Sequence, residues 1–459
     1  MQFERLSHGF TLHLLAVAFG LLLYVLSARA RRERRPPASA VAWVLGIVAL
    51  PYVVVPAYLV FGARKMPRPG ARRRCVLPEG AHWAERLIVS FGLAPATSAT
   101  VRFHRDGAEA MQAWRDVVQA AERRLEVATL IVGDDAIGCD MLALLTERVR
   151  AGVEVRLLLD GMGALQAPKA ALRALRAAGG NVRIFSPFWR LGSRTGKNLR
   201  NHRKFTIADR RTLWSGGRNL AAEYFVDTPA GPAWRDLSFE ATGPIASEAA
   251  RQFEADWVAS GGKQGGPANA VETAVKPAHP DESRVQFLPS GPDQEEDTIQ
   301  AVLIDACYRA ERRIIAATPY FVPGDGLEMA LRLAARRGVR VSLFMPLKSN
   351  HSLADWARRR PLRALAEAGV DVQFVPYMMH AKAFVVDDSM ALCGSTNLDL
   401  RSLLVNHEAS CVFFSAQDVR WLATWMEALR ADATAFVPVP PTFAQDLAEG
   451  LLLTLAFQL

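Results

Sequence analysis

Two short stretches of this chain carry the same reactive side chains in the same order. The first is His202-x-Lys204-x4-Asp209, followed by Gly216-Gly217-x-Asn219. The second is His380-x-Lys382-x4-Asp387, followed by Gly394-Ser395-x-Asn397. The separation from His to Asn is 17 in both copies (219−202 and 397−380). Two imidazoles, two ammonium groups and two carboxamides suit transfer at a phosphodiester, whose anionic oxygens repel nucleophiles. Lys204 and Lys382 can neutralise those oxygens, and Asn219 and Asn397 can donate amide hydrogens to them as charge builds. One imidazole then attacks phosphorus and forms a covalent phosphoryl intermediate. The other protonates the departing alkoxide and later deprotonates the incoming alcohol. The rings must start in different protonation states, which couples their titrations. The scheme needs no metal and no nucleotide, because the two lysines supply the positive charge.

Strands and turns must hold this set in place. A strand has period two, so His202, Lys204 and Thr206 share one face while Phe205 and Ile207 enter the core. His380 and Lys382 share a face in the same way. Asp209 and Asp387 stand at the opposite parity, within Ala208-Asp209-Arg210-Arg211 and Val386-Asp387-Asp388-Ser389. They read as turn residues holding the hairpin and only secondarily as members of the catalytic set. Gly217 and Ser395 precede the asparagines by two residues and are grouped with them as substrate-binding. The surroundings are duplicated too. Ala121-Glu-Arg-Arg-Leu-Glu-Val-Ala-Thr is echoed by Ala310-Glu-Arg-Arg-Ile-Ile-Ala-Ala-Thr, and Gly152-Val-Glu-Val-Arg-Leu by Gly338-Val-Arg-Val-Ser-Leu. Helical stretches alternating with short β-branched runs predict an α/β architecture. A Gly/Pro-rich stretch from Ala259 to Pro280 predicts a boundary near 260–283.

The doubled motif resembles the phospholipase D superfamily, and the flanking text resembles its bacterial cardiolipin synthases. The matching stretches include Asn198-Leu-Arg-Asn-His202-Arg-Lys204, Gly217-Arg-Asn219-Leu-Ala-Ala-Glu223-Tyr224, Trp234-Arg-Asp236 and Phe253-Glu-Ala-Asp-Trp257. In the second half they are Pro289-Ser-Gly-Pro-Asp293, Thr318-Pro-Tyr-Phe-Val-Pro323 and Asn397-Leu-Asp-Leu-Arg-Ser402. The resemblance implies two α/β sandwich domains related by pseudo-twofold symmetry, at 76–260 and 284–459, joined by a linker at 261–283 and preceded by a membrane anchor at 1–75. It implies that Asp236 orients His202, that Glu408 orients His380, and that His202 is the nucleophile. It also implies a bacterial inner-membrane location with the catalytic domains on the cytoplasmic side. The residues Tyr377-Met378-Met379 before the second His depart from the usual wording and bear on acceptor specificity.

Charge distribution agrees with a membrane partner. Residues 1–75 hold twelve basic and two acidic residues, a balance of +10, so the total of +9 leaves the other 384 residues at −1. Such a body lacks the global cationic field of a nucleic-acid binder. Two uncharged apolar stretches, Phe10–Leu26 and Val41–Phe61, predict a membrane hairpin, the second interrupted by Pro51 and Pro56. The arginine run 31–35 argues against a cleaved signal peptide. Five Arg in 29–35 and six Arg/Lys in 64–74 nearly tie in positive-inside counting; a shallow or re-entrant first segment would relieve the tie. The apolar end, Leu447–Leu459, could dock on the body or lie on the membrane. Five cysteines without a C-x-x-C pair fit reduced thiols and offer no zinc site.

Among further residues, His104, His351 and His407 could line the site, although a structural role is the commoner fate of such histidines. Tyr320 and Phe321 could border a lipid channel or pack in the core. Arg194, Lys197, Arg200 and Arg203 could hold headgroups or form a solvated loop. The expected activity is transfer of a phosphatidyl group from one phosphatidylglycerol to another with release of glycerol. The alternatives are a phospholipase D-type hydrolase, a transferase using another donor such as phosphatidylethanolamine, a nuclease, and a non-catalytic lipid-binding scaffold. A scaffold would show decay in one motif, and neither copy shows any.

Overall fold

The short β-branched runs of both halves join one continuous sheet with helices on both faces. A computed structural model describes residues 2–31, 37–62, 64–66, 80–187, 198–265 and 282–453. Three apolar helices come first: α1 (Gln2–Arg31), α2 (Pro37–Ala49) and α3 (Pro51–Phe61). The second apolar stretch is thus two helices rather than one, because Leu50 leaves helical geometry (φ −139°) and Pro51 can only begin a new helix. A short helix, α4 (Trp83–Ser90), leads into the body.

The first half contributes strands β1 (Thr97–His104), β2 (Arg124–Thr129), β3 (Glu154–Asp160), β4 (Asn181–Phe185), β5 (Phe205–Ala208), β6 (Thr212–Gly216) and β7 (Ser238–Thr242). Its helices are α5 (Gly107–Ala120), α6 (Ala136–Arg150), α7 (Lys169–Ala177) and α8 (Pro244–Ala259). The second half contributes β8 (Ser283–Ser290), β9 (Arg313–Ala317), β10 (Phe321–Val322), β11 (Arg340–Pro346), β12 (Asp371–Val375), β13 (Ala383–Val386), β14 (Met390–Gly394), β15 (Leu398–Asp399), β16 (Glu408–Phe413) and β17 (Thr434–Ala435). With them come α9 (Thr298–Arg309), α10 (Gly324–Arg336), α11 (Ser352–Ala357), α12 (Arg359–Glu367), α13 (Leu400–Leu404), α14 (Ala416–Ala428) and α15 (Phe443–Leu453).

The sheet order is β17-β12-β11-β9-β13-β14-β16-β8-β1-β7-β6-β5-β2-β3-β4. Read outward from the β8–β1 junction, both halves run a long strand, three antiparallel strands and then three parallel ones, and the second half adds the short antiparallel edge strand β17. This is the order that a twofold relation between the halves requires. At the junction Thr97 pairs with Val285 and Ala99 with Ser283. One face of the sheet is covered by α8 and α14, whose apolar residues form a single core with both halves; Ile245, Phe253, Val419 and Met426 are among its members. On the other face each half has its own core, under α5 and α6 in the first and under α9, α10 and α12 in the second.

This layering explains the parity at the first motif. Phe205 and Ile207 enter the shared core, while Thr206 faces α5 and accepts a hydrogen bond from Trp114 Nε1 at 2.9 Å. Most of the 261–283 stretch lies outside the described residues. α15 docks through Leu452 and Leu453 and through a Glu449–Arg363 ion pair, and it leaves Phe443, Leu447 and Leu451 exposed.

Candidate active site

The motif histidines stand just before β5 and β13, where the chain of each half meets a segment of the other. His202 N donates to His407 O at 2.9 Å, and His407 N donates to Arg200 O at 2.9 Å. His380 N donates to Arg235 O at 2.6 Å, and Arg235 N donates to Met378 O at 2.9 Å. Each histidine is therefore held by the backbone of the opposite half, beside that half's carboxylate.

The carboxylates are exchanged relative to the expectation. His202 Nδ1 lies 2.9 Å from Glu408 Oε1, and His380 Nδ1 lies 2.6 Å from Asp236 Oδ2. Asp236 was expected to serve His202 and Glu408 to serve His380; the cross-pairing of the halves brings each acid to the other ring. A carboxylate at Nδ1 fixes the tautomer with Nε2 as the basic nitrogen. Both carboxylates are themselves held. Asp236 accepts from Leu237 N at 2.7 Å, and Glu408 accepts from the Ser395 hydroxyl.

Gly217 and Ser395 therefore serve the carboxylates, which corrects their placement with the substrate-binding residues. A Cβ on Gly217 would stand 2.2 Å from Asp236 Oδ1, so only glycine fits there. Ser395 is fully buried behind Glu408. The asparagines are buried and oriented from one side. Asn219 Nδ2 donates to the Tyr224 hydroxyl at 2.7 Å, and Asn397 Nδ2 donates to Ser402 Oγ at 3.2 Å. The Asn219 amide nitrogen has a second hydrogen for a ligand oxygen, while the Asn397 amide also reaches the Asp399 carboxylate.

Both lysines are buried and reach back to their own histidines. Lys204 Nζ donates to His202 O at 2.9 Å; Lys382 Nζ donates to His380 O and stands 3.0 Å from His380 Nε2. Burial pushes the Lys204 ammonium down to about 7 and that of Lys382 down to about 8. It also lowers His202, and together with the Lys382 charge it brings His380 down to about 3. Burial alone would raise both carboxyls, yet His380 and Lys382 hold Asp236 below its ordinary value, and His202 does the same for Glu408. In the form with both rings neutral and both lysines protonated, two ammonium groups balance the two carboxylates. A phosphodiester monoanion entering this balanced, water-poor site favours uptake of one proton, and an imidazole can hold it.

Asp209 and Asp387 lie away from this centre, a correction to their inclusion in the catalytic set. Asp209 accepts from the backbone N–H groups of Glu122, Arg123 and Arg124 at 2.8–2.9 Å. Asp387 accepts from those of Glu311, Arg312 and Arg313 at 2.8–3.1 Å. Both have φ of +51°, in the left-handed region that Asp tolerates better than most residues.

Arg200 and Arg203 are buried structural cations rather than headgroup ligands. Arg203, between the reactive His202 and Lys204, points the other way and pairs with Asp256 and with Asp293 at 2.9 Å. It also donates to Glu408 O at 2.9 Å and Ser290 O at 3.1 Å. Asp256, Asp293 and His407 converge closely enough to hold a cation, but the Arg203 guanidinium already lies among them. Arg200 donates to Ser186 O at 3.0 Å. Arg194 and Lys197 fall outside the described residues. His351 caps α11, His104 is buried within β1, and Phe321 belongs to the core.

Two aromatic residues beside the site were quoted in the sequence without a role. The Tyr224 ring meets His380 edge-on at 5.1 Å between centroids, and Trp234 lies over it at 5.5 Å. Arg218, fully buried, donates to Asp236 O, Tyr224 O and Ser238 Oγ, tying the acid to the tyrosine. Their signal was proximity: all three lie within 18 residues of Asp236.

Comparison with known proteins identifies the family. Residues 115–257 and 303–430 match the family described as "Cardiolipin synthase, PLD-like domain", and residues 16–62 match "Phospholipase_D-nuclease N-terminal". Cardiolipin synthase A of Citrobacter koseri is 30% identical over 447 residues, covering 88% of each chain. Cardiolipin synthase A of Pseudomonas aeruginosa LESB58 is 29% identical over 454 residues, 93% of this chain and 91% of that one. Phosphatidylserine synthase of Haemophilus influenzae Rd KW20 shares the fold, with a TM-score of 0.62 at 15% identity over 82% of this chain and 100% of that one. One matched segment contains His202 and Lys204 and the other contains His380 and Lys382, and the chain therefore belongs to the family of cardiolipin synthases with phospholipase D-like domains.

Proposed function

We propose that the chain is a cardiolipin synthase that transfers a phosphatidyl group between two phosphatidylglycerol molecules at the cytoplasmic face of a bacterial inner membrane. His202 Nε2 attacks phosphorus, the P–N bond forms, and the bond to the glycerol oxygen breaks. His380 gives its proton to that oxygen and glycerol leaves. The terminal hydroxyl of a second phosphatidylglycerol then loses its proton to His380 and attacks phosphorus. The P–N bond breaks and cardiolipin forms. One phosphodiester replaces another, so no nucleotide is consumed. Lys204, Lys382, Asn219 and Asn397 face the phosphoryl oxygens; Asp236 and Glu408 hold the rings.

The observation that carries this reading is the pairing of each ring with the carboxylate of the opposite half, around two buried lysines. The centre is buried, and a site closed to water favours transfer to an alcohol over hydrolysis. The test is lipid mass analysis after incubating the purified protein with phosphatidylglycerol alone in detergent micelles. Cardiolipin with an equal amount of glycerol is expected, and a peptide carrying a phosphatidyl group on His202 should be trapped on rapid acid-free quenching. Phosphatidic acid as the sole product would make water the acceptor and overturn the reading.

A further inference from the structure

The three amino-terminal helices do not have the arrangement of two successive membrane crossings. α1 carries the apolar stretch Phe10–Arg29, twenty residues of mean hydropathy 2.1 with a charge only at its last position, long enough at ~1.5 Å per residue to cross a hydrocarbon layer of ~30 Å. α2 and α3 have 13 and 11 residues, roughly 20 and 16 Å, and neither crosses alone. End to end they would suffice, but they double back. The rings of Trp43 and Tyr58 lie 5.2 Å apart, where a straight helix would put them roughly 22 Å apart. A Cβ on Gly46 would lie 3.2 Å from the Val54 side chain, a contact possible only between facing legs of a hairpin.

α1 lies along this hairpin and shows which end is which. His13 packs at the tip, with its ring 6.1 Å from Tyr52. Gly20 faces the middle, where an added Cβ would collide with Ile47 and Val55. Tyr24 and Ser27 pack at the base, the Ser27 hydroxyl 2.5 Å from that of Tyr58. The tip also carries the device that a break inside hydrocarbon demands. A helix end leaves carbonyls without partners, which is costly away from water. His13 Nε2 stands 3.3 Å from Val48 O, the next-to-last carbonyl of α2, and Pro51 opens α3 without an N–H to satisfy. Outward-facing Phe10, Leu15, Phe19, Leu50, Val53 and Leu59 are all at least 60% exposed, so the partner they fit is hydrocarbon.

We infer that α1 crosses the bilayer once, whereas α2 and α3 form a re-entrant hairpin that enters and leaves on the same face as the catalytic body. The re-entrant element is thus the second apolar segment, not the first. This resolves the charge tie. Two crossings would put the five Arg of 29–35 opposite the six Arg/Lys of 64–74; the re-entrant path puts all eleven on one face and leaves Arg5 on the other. It also fixes the hairpin base against the site. Lys65 Nζ donates to Asp297 Oδ1 and Gln294 O at 2.9 Å, and Met66 N donates to Pro292 O at 2.9 Å, in the loop that also contains Asp293, the partner of Arg203. The inference rests on the membrane association read above, and its test does not depend on activity.

The test is thiol labelling of the full chain in sealed membrane vesicles with a membrane-impermeant maleimide. Cys75→Ser and Cys139→Ser remove the background, and the buried Cys307, Cys393 and Cys411 remain. Three single additions are compared: Ser7→Cys before the span, Ser39→Cys at the start of α2, and Ala230→Cys on an exposed turn of the body. Each must label fully in detergent. The expected pattern is that Ser39→Cys shares the sidedness of Ala230→Cys while Ser7→Cys labels from the opposite side. Two successive crossings give the reverse, with Ser7→Cys alike and Ser39→Cys opposite. Any pattern other than the expected one overturns the inference.

Discussion

His202 Nδ1 lies 2.9 Å from a carboxylate oxygen of Glu408, a residue 206 positions away in the other half of the chain. Neither half holds a complete catalytic unit: each supplies an imidazole and the acid that orients the other's. Replacing Glu408 by Gln keeps the shape and removes the charge that holds the His202 tautomer. A loss of up to about 10⁴-fold in kcat is expected, with little change in KM, the size found when the acid behind a catalytic histidine loses its charge. The pairing itself is read from the ring ¹⁵N resonances of His202. They should move in Glu408→Gln and stay in place in Asp236→Asn, and the reverse result would restore the same-half pairing.

The buried lysines set the pH response. Lys204 titrates at about 7 and Lys382 at about 8, because burial disfavours their charged forms. Since kcat/KM reports the free enzyme, it should fall as pH rises through 7 to 8, each lost proton removing a positive charge from the phosphate site. On the acid side His380 stays neutral down to about 3, and His202 too lies below its ordinary value. Any loss of kcat/KM in acid should therefore lie below the range in which a free imidazole titrates, roughly pH 6.5. A profile on phosphatidylglycerol micelles from pH 5 to 10 checks this. A plateau continuing to pH 9 would mean that both ammonium groups keep their protons in the empty site.

Much of this site was legible because period two and an exact internal repeat act over a few residues. His202, Lys204, His380, Lys382 and the asparagines come together as the motif requires, and the turn role of the two aspartates follows from their parity. The carboxylate pairing was not legible. Asp236 and Glu408 could be recognised, but which ring each serves depends on how β8 meets β1, a long-range event without a local signal. Arg203 was misread although its signal was present: it lies between His202 and Lys204, so the parity that sends them into the site sends it out. The second apolar stretch shows the same limit, since Pro51 marks a break but not the direction the chain takes after it.

Arg203 should be worth far more to stability than a surface arginine. It is buried and pairs with Asp256 and Asp293 while donating to backbone oxygens of Ser290 and Glu408. Arg203→Met leaves the buried Asp256 and the half-buried Asp293 without their cation, a loss of about 3–5 kcal/mol. Denaturant unfolding should show it as a lower midpoint, and Arg203→Lys should recover little, since one ammonium cannot span the same partners. A midpoint within experimental error of the parent would mean that solvent or His407 replaces the guanidinium.

The motif aspartates likewise act on stability rather than on the chemical step. Asp209 ties three consecutive backbone N–H groups and holds a left-handed φ, as does Asp387 in the second half. Asp209→Ala removes the acceptor and strains the turn, which should lower stability by about 1–3 kcal/mol. Asp209→Asn keeps an acceptor oxygen and tolerates the same φ, so it should recover part of the loss. Activity per folded molecule should change by no more than about threefold in either variant, because nothing in the catalytic centre loses a partner. Unfolding midpoints and kcat measured on the same preparations separate the two roles. A hundredfold loss of kcat at an unchanged midpoint would return Asp209 to the catalytic set.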